Sequence, residues 1–362
     1  YAPEIEADIR KFARGETLTF KGRGSGTPDA MSVRGDLSAG RGMASADLRV
    51  NGLLSGRLNI KGQLRTDNLD LGMLTGMEEI GECTLRGSLN AVKKEKGKGL
   101  TLMVDSVFVD KMTALGYEYS GIRGAGTFSD NAFDGRIICS DPNLNFLFQG
   151  IFTLSDKTQN GLYKFYANIG YADLHALHFD QRSISRLSGQ IDANYMTVSK
   201  KDVIGDIFVK NLVLEDEMSR HDIGDILVKS HSNDRIHRIN IESSFLTGSF
   251  VGTGPVTSMP GEIQSLSTRR DLPALYAGSA AEPDGNEYNL ELSVHDATDI
   301  LSFIKPGLFI ADSTRIGVSV SKEGDVRMTL KSPRLAVGKN YLKDFRLNMD
   351  NSDGSLNGAA AC

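Results

Sequence analysis

The sequence predicts an all-β fold built of repeats, and three observations predict it. Segment after segment alternates apolar and polar residues with a period of two, the mark of a strand with one dry face and one wet face. Glycine is abundant, at 39 of 362 residues, and proline scarce, at 9, which fits many tight hairpins better than disorder. Landmarks also recur. Gly87, Gly189 and Gly317 follow one another after 102 and 128 residues, Val109, Leu214 and Val337 after 105 and 123, and Ile122, Ile226 and Phe345 after 104 and 119. The near-constant first interval points to a repeat, read here as a module of about 90 residues stacked along an axis, and the longer second interval leaves room for an insertion.

Residues 15–65 read as about four strands. The cleanest is Arg57–Arg65, where Leu58, Ile60 and Leu64 alternate with Arg57, Asn59, Lys61, Gln63 and Arg65. Gly22–Gly26 and Ala39–Gly42 read as turns. Asn68–Met77 reads as a short helix with Asp67 or Asn68 as its N-cap and Leu69, Met73 and Leu74 on one face. Strands near Glu82–Val92, carrying Leu85 and Leu89, and Leu100–Val109 flank a charged hairpin tip at Lys93–Gly99. Tyr117–Gly124 is hinge-like. Leu144–Leu154 is the most regular strand, with Leu144, Phe146, Phe148, Phe152 and Leu154 on one parity and Asn143, Asn145, Gln149 and Thr153 on the other.

The programme then restarts. Leu162–Ile169 is a strand, Asp173–Phe179 a short helix-like run, and Leu187, Gly189, Ile191, Ala193 and Tyr195 alternate with polar neighbours. Val203–Leu214, Asp225–Lys229, Arg235–Ser243 and Leu246–Gly254 complete this copy. Residues 258–286 break the rhythm with Pro260, Pro273 and Pro283, and read as an insertion in which Arg269–Tyr276 makes a helical turn or two. A third copy opens at Tyr288 with Leu290, Leu292 and Val294, adds a helix at Thr298–Ile304 ended by Pro306-Gly307, and continues through Val326, Met328 and Leu330 to Phe345, Leu347 and Met349. The expected division is therefore 1–61, the tail of a preceding β-repeat; 62–154 and 155–257, two β-groove modules; 258–287, an inserted loop; and 288–362, a truncated module. On this division the sequence reads as an internal part of a longer chain.

Composition excludes several classes of function. With 41 Lys and Arg against 46 Asp and Glu the net charge is −5, and both signs are interspersed, which is not the footprint of a nucleic-acid binder. No apolar run approaches the ~18 residues of a membrane-crossing helix, and no signal peptide opens the sequence. Cys83, Cys139 and Cys362 lack metal spacing; their odd number argues against a disulfide framework and leaves room for one pair. His175 and His178, with His221, His231 and His237, raise a metal site, yet no Cys pair or His-Glu-x-x-His context accompanies them. Gly22-x-Gly24-x-Gly26 does not open a helix after a buried strand, as a phosphate loop requires. No Gly-x-Ser-x-Gly elbow and no distinct carboxylate pair occurs. The expectation is a protein that is not an enzyme and carries no cofactor and no metal.

The pattern makes a physical demand. A sheet with a dry face must cover it, and modules offering only about 8–10 residues of helix cannot do so with long helices. About 20 strands at ~4.8 Å would extend roughly 100 Å in series, and sheets of that length curl or split. An elongated, mostly antiparallel sheet curved into a U-shaped, taco-like hydrophobic groove, with short helices between modules, meets both constraints. Such a trough would solvate acyl chains; burying ~16 carbons is worth on the order of 13 kcal/mol at ~0.8 kcal/mol per methylene. The competing solution packs the dry faces together as a sandwich or solenoid core.

The blocks Leu58–Met77, Leu85–Leu89 and Gly121–Leu154, with their echoes, resemble the repeats of AsmA-like proteins, in particular TamB-type chains of Gram-negative bacteria. Leu48-Arg49-Val50-Asn51-Gly52 and Leu187-Ser188-Gly189-Gln190-Ile191 share that character, as does the strand–short helix–strand order around Leu69–Leu74, Leu174–Leu177 and Ile300–Ile304. The resemblance covers the whole chain and is one of pattern and period. It implies a periplasmic chain anchored in the inner membrane by an N-terminal helix that is not in this sequence. It also implies a curved sheet akin to bridge-like lipid transfer proteins, and a role in outer-membrane biogenesis. The implied partners are phospholipid acyl chains and, through a C-terminal region not found here, an outer-membrane assembly barrel.

The residues expected to line the groove are Leu58, Ile60, Leu64, Leu85, Leu89, Leu144, Phe146, Phe148 and Phe152, then Ile191, Tyr195, Leu292, Val294, Met328, Leu330, Phe345 and Leu347. Two other functions remain open: a structural or protein-interaction solenoid or sandwich of the envelope with a self-filled core, and an enzyme acting on polysaccharide. The latter would want clustered carboxylates beside aromatic platforms on a wet face, and the absence of tryptophan counts against it.

Overall fold

The computed structural model describes residues 18–27, 29–75, 79–93, 99, 101–153, 161–197, 203–233, 236–266, 285–351 and 357–362. It is all-β. Twenty-two strands join in one sheet, and every strand pairing with a described register is antiparallel. Among the described residues three helices of five to seven residues interrupt it. The Lys93–Gly99 tip and the Arg269–Tyr276 turns lie largely or wholly outside the described residues. The chain divides into two compact units, Tyr1–Leu154 with Phe165–Leu187 and Ser155–Lys164 with Ser188–Cys362.

The first unit opens with β1 (Leu18–Thr27), β2 (Ala30–Ala39), β3 (Gly42–Asn51) and β4 (Asn59–Asp67). A two-residue strand, β5 (Leu69–Asp70), leads into α1 (Leu71–Thr75), and the chain returns as β6 (Ile80–Val92) to pair with β4. Then follow β7 (Thr101–Ala114), β8 (Tyr117–Ser129), β9 (Ala132–Asp141) and β10 (Leu144–Thr153), each antiparallel to its predecessor. The residues of β11 (Gly161–Asp173) and β12 (Ser185–Thr197) are divided between the two units.

The second unit continues with β13 (Val203–Asp216), β14 (Arg220–Ser232), β15 (His237–Ser243) and β16 (Leu246–Gly252). After α2 (Met259–Ser265) and β17 (Tyr288–Val294) come α3 (Thr298–Ile304) and the three-residue β18 (Leu308–Ile310). The chain closes with β19 (Thr314–Val320), β20 (Val326–Val337), β21 (Asn340–Asp350) and β22 (Asn357–Ala361). The recurring landmarks occupy corresponding strands: Gly87, Gly189 and Gly317 lie in β6, β12 and β19, and Ile122, Ile226 and Phe345 in β8, β14 and β21.

Several local expectations are corrected. Gly22 and Gly24 are not a turn but lie inside β1, where Gly22 faces Gly35 across the strand pair. A Cβ on either glycine would sit within 3 Å of the Phe20 ring, so the phenyl ring covers the bare backbone of both strands in the manner of an aromatic rescue. Tyr117–Gly124 is no hinge but the first half of β8. The reversal occurs just before it, at Leu115 and Gly116, both with positive φ (51° and 80°), as a two-residue hairpin turn requires. The cap of α1 is Asp70, whose Oδ1 accepts a 2.8 Å hydrogen bond from the Met73 amide, rather than Asp67 or Asn68; Asn68 holds a left-handed conformation (φ 46°). Asp173–Phe179 is a set of hydrogen-bonded turns, with Asp173 Oδ1 accepting from the Ala176 amide at 3.0 Å. The stretch read as an insertion, 258–286, begins with α2. All three thiols are free.

Candidate functional site

Register turns the alternation of single strands into a face. In the first unit Met31, Val50, Ile60, Ala91, Leu102, Phe128, Phe133 and Phe152 lie directly opposite one another in succession, one from each of eight strands. In the second unit Ile207, Val228, Ile241, Gly248, Leu292, Ile316, Leu330 and Leu347 do the same. Each row crosses roughly 34 Å of sheet at about 4.8 Å per strand. The one glycine in the second row is covered by its neighbours, since a Cβ on Gly248 would meet Leu292 Cδ2 at 2.5 Å and Ile241 Cγ2 at 3.0 Å.

Of the residues expected to line a groove, those in strands with a described register share the parity of these rows, which leaves Leu58, Ile191 and Tyr195 unplaced by register. Leu64 and Leu89 lie opposite Gly87 and Gly62 across β4 and β6, and Leu85 faces Val109. Phe146 faces Cys139, Phe148 faces Ile137, and Leu144 faces Asp141. Leu58 precedes β4, with its carbonyl accepting from the Lys93 amide at 2.7 Å. In the second unit Val294 faces both Leu246 and Thr314, Met328 faces Val318 and Met349, and Phe345 faces Ser332. Ile191 and Tyr195 are on β12, where the Tyr195 ring stacks on Tyr163 at 4.6 Å and 9°. Burial, with the neighbouring Tyr163 a smaller contribution, raises the Tyr195 hydroxyl above its ordinary range.

Exposure separates the lining into two kinds. Of these seventeen residues only Phe148 and Val294, each 7% exposed, are buried; the rest are half-buried. Phe148 is closed in by rings: Phe165 at 5.2 Å, Phe152 at 5.4 Å and Phe133 at 6.2 Å between centroids. Met328 lies against a closed cluster in which Met259 and Leu266, at the ends of α2, cover Phe250, Tyr288, Val320 and Val326. Leu64 packs beside Leu69, Leu71 and Met73 around α1. The short helical segments thus cover only parts of the apolar faces.

Sequence reasoning missed Phe133, Phe128, Leu102, Ile207 and Ile316, which share these rows. Their parity was readable, but membership of a row depends on register. It also missed the polar end of the first face. Asp141, 6% exposed, accepts hydrogen bonds from Tyr117 Oη (2.5 Å), the Ser120 amide and hydroxyl (both 2.8 Å) and the Asn143 amide (2.8 Å). Burial alone would raise this carboxyl, but those donors outweigh it and hold the group below the ordinary carboxylate range.

The histidines do not converge. His178 packs edge-on near Tyr117, whereas the buried His221 lies between Asp216 Oδ2 at 3.2 Å and Asp299 Oδ1 at 3.3 Å, joining the β13–β14 turn to α3. Among the described residues no three potential metal ligands come together, and no helix is long and apolar enough to cross a membrane. Comparison with family models, with curated proteins and with solved structures returned no match for this chain.

Proposed function

We propose that this chain is a segment of a periplasm-spanning protein of the TamB and AsmA-like kind, whose apolar faces form a trough for phospholipid passage between inner and outer membrane. The observation that carries this reading is the pair of eight-strand apolar rows whose side chains, Ala91 apart, stay half-exposed. Soluble proteins seldom leave contiguous apolar surface open unless something binds it, and an acyl chain needs a continuous dry path with no fixed polar contacts. The U-shaped curvature, the periplasmic location and the part in outer-membrane biogenesis belong to the same proposal and draw on the resemblance described above.

Native mass spectrometry of the purified protein, followed by lipid extraction, tests it. Co-purifying phospholipid is expected, and Phe146→Asp is expected to remain folded while losing it. Protein that is repeatedly free of lipid would overturn the reading.

A second reading, a structural or interaction protein of the envelope with a self-filled core, is favoured by one feature: the α2 cluster fills the apolar face around Phe250 and Tyr288 with the chain's own side chains. In that case Phe146→Asp is expected to unfold the first unit by burying an unpaired charge.

A further inference from the structure

The opposite, polar face of the first unit carries a hollow of about 710 Å³ spanning β2, β3, β4, β6 and β7. Its floor is backbone along the row Gly35, Ala46, Leu64 and Gly87, and the space above is open because Ser45, Ser88 and Ser106 are short where their neighbours are long. Its size is that of a small-ligand site.

One wall runs directly across the strands. Arg65 lies opposite Arg86, Arg86 opposite Phe108, and Phe108 opposite Arg123. The Arg86 and Arg123 guanidinium groups stand 5.4 and 5.7 Å from the Phe108 ring centroid, yet the ring remains 36% exposed. Arg86 reaches Asp110 at 3.2 Å in a solvent-exposed pair, which screening makes weak. Arg65 has no carboxylate partner among the described residues. Like charges directly opposite each other destabilise a sheet. Register therefore sets two like charges on neighbouring strands, with Arg86 turned toward Phe108 and Asp110, and an anion bound by both arginines would offset that cost.

We propose that this hollow binds an anionic oligosaccharide, with a sugar carboxylate or phosphate held by Arg65 and Arg86 and a sugar ring lying against Phe108. The rest of the lining selects a sugar over a polyphosphate. Asp36, which accepts from the Ser45 hydroxyl at 2.6 Å, and Asp47, which is paired with Arg34, stand on the same surface with Gln63 and the serines; their remaining oxygen atoms accept from hydroxyl groups, and the two carboxylates disfavour a dense polyanion. This site is independent of the apolar face and does not rest on the lipid reading.

Calorimetric titration of the whole chain with an oligogalacturonate, a neutral malto-oligosaccharide of equal length and a single-stranded oligo-dT tests it. The galacturonate is expected to bind in a salt-sensitive manner and the other two not to bind. Arg65→Gln and Phe108→Ala are each expected to weaken it by about tenfold or more, the loss of one good contact. Arg65→Lys, which keeps the charge and loses the fork, is expected to fall between. Arg65→Gln is also expected to raise the thermal midpoint, because it removes the like-charge pair; an arginine with a purely structural role would lower it. Absence of galacturonate binding, equal binding of the neutral sugar, tighter binding of oligo-dT, or affinity unchanged in Arg65→Gln and Phe108→Ala would each overturn the assignment.

Discussion

The Tyr117 hydroxyl donates a 2.5 Å hydrogen bond to Asp141 Oδ1, tying the start of β8 to the end of β9 beside the apolar face. Asp141 has to remain ionised there, because four donors converge on it. Its folded carboxyl titrates below the ordinary value of 3.8. The stabilisation it provides is therefore complete above that value and is lost as pH falls through the lower folded value. Asp141→Asn is expected to cost about 2 kcal/mol at neutral pH and to flatten the acid limb of a stability-against-pH curve measured by urea unfolding.

Phe148 and Phe146 are two residues apart on one strand and differ in enclosure. Phe148→Ala removes a ring surrounded by three others and is expected to cost about 3–4 kcal/mol. Phe146→Ala, at a half-exposed position, is expected to cost about 1–1.5 kcal/mol. Denaturant midpoints of the two variants check the difference.

Glycines inside strands divide in the same way. A Cβ at Gly135 would stand 2.4 Å from the Ala125 carbonyl and 2.6 Å from the Phe133 ring, whereas at Gly24 the nearest atoms are 3.9 Å away. Gly135→Ala is expected to destabilise by about 2 kcal/mol or more. Gly24→Ala is expected to be neutral or to stabilise by about 0.5 kcal/mol through the unfolded state. Thermal unfolding of both variants distinguishes them.

Much of the fold was legible because it is written in single strands. The parity of Leu144, Phe146, Phe148 and Phe152 needs no partner to be read, and the helix at Thr298–Ile304 was bounded by Pro306 as expected. What escaped depends on pairing or on a cover from elsewhere in the chain. Gly22–Gly26 looked like a turn because the ring of Phe20, which occupies the space over Gly22 and Gly35, acts across two strands. In the polar stretch after Gly254, Met259, Ile263 and Leu266 recur at helical spacing behind Pro260 near the helix start, a signal that was present and was outweighed by the prolines around it. Arg65 and Arg86 each read as ordinary wet-face residues, and only register sets them side by side.

His221 offers a test of how α3 is held. His221→Ala leaves the Asp216 carboxylate without its ring partner and removes the packing of the imidazole near Phe303; a cost of about 2 kcal/mol is expected. Asp299, 60% exposed, contributes less, and Asp299→Asn is expected to change stability by under about 0.5 kcal/mol. Hydrogen exchange should show faster exchange of the α3 amides in the first variant and not in the second.

The thiols are expected to react unequally with a reagent in solution. Cys83 and Cys139 are 1% and 3% exposed, and burial raises both thiols above their ordinary range, whereas Cys362 is exposed. A colourimetric thiol reagent should modify one cysteine of the folded protein rapidly and all three after unfolding.

The eight-strand rows carry a mechanical consequence. Their corrugation repeats at the strand spacing, about 4.8 Å, and each strand except the one carrying Gly248 contributes one apolar side chain. Sliding by one strand exchanges one apolar neighbour for another, aromatic at Phe128, Phe133 and Phe152. If the rows carry acyl chains as proposed, nothing along them sets a direction, and any bias in the direction of travel would have to come from their ends.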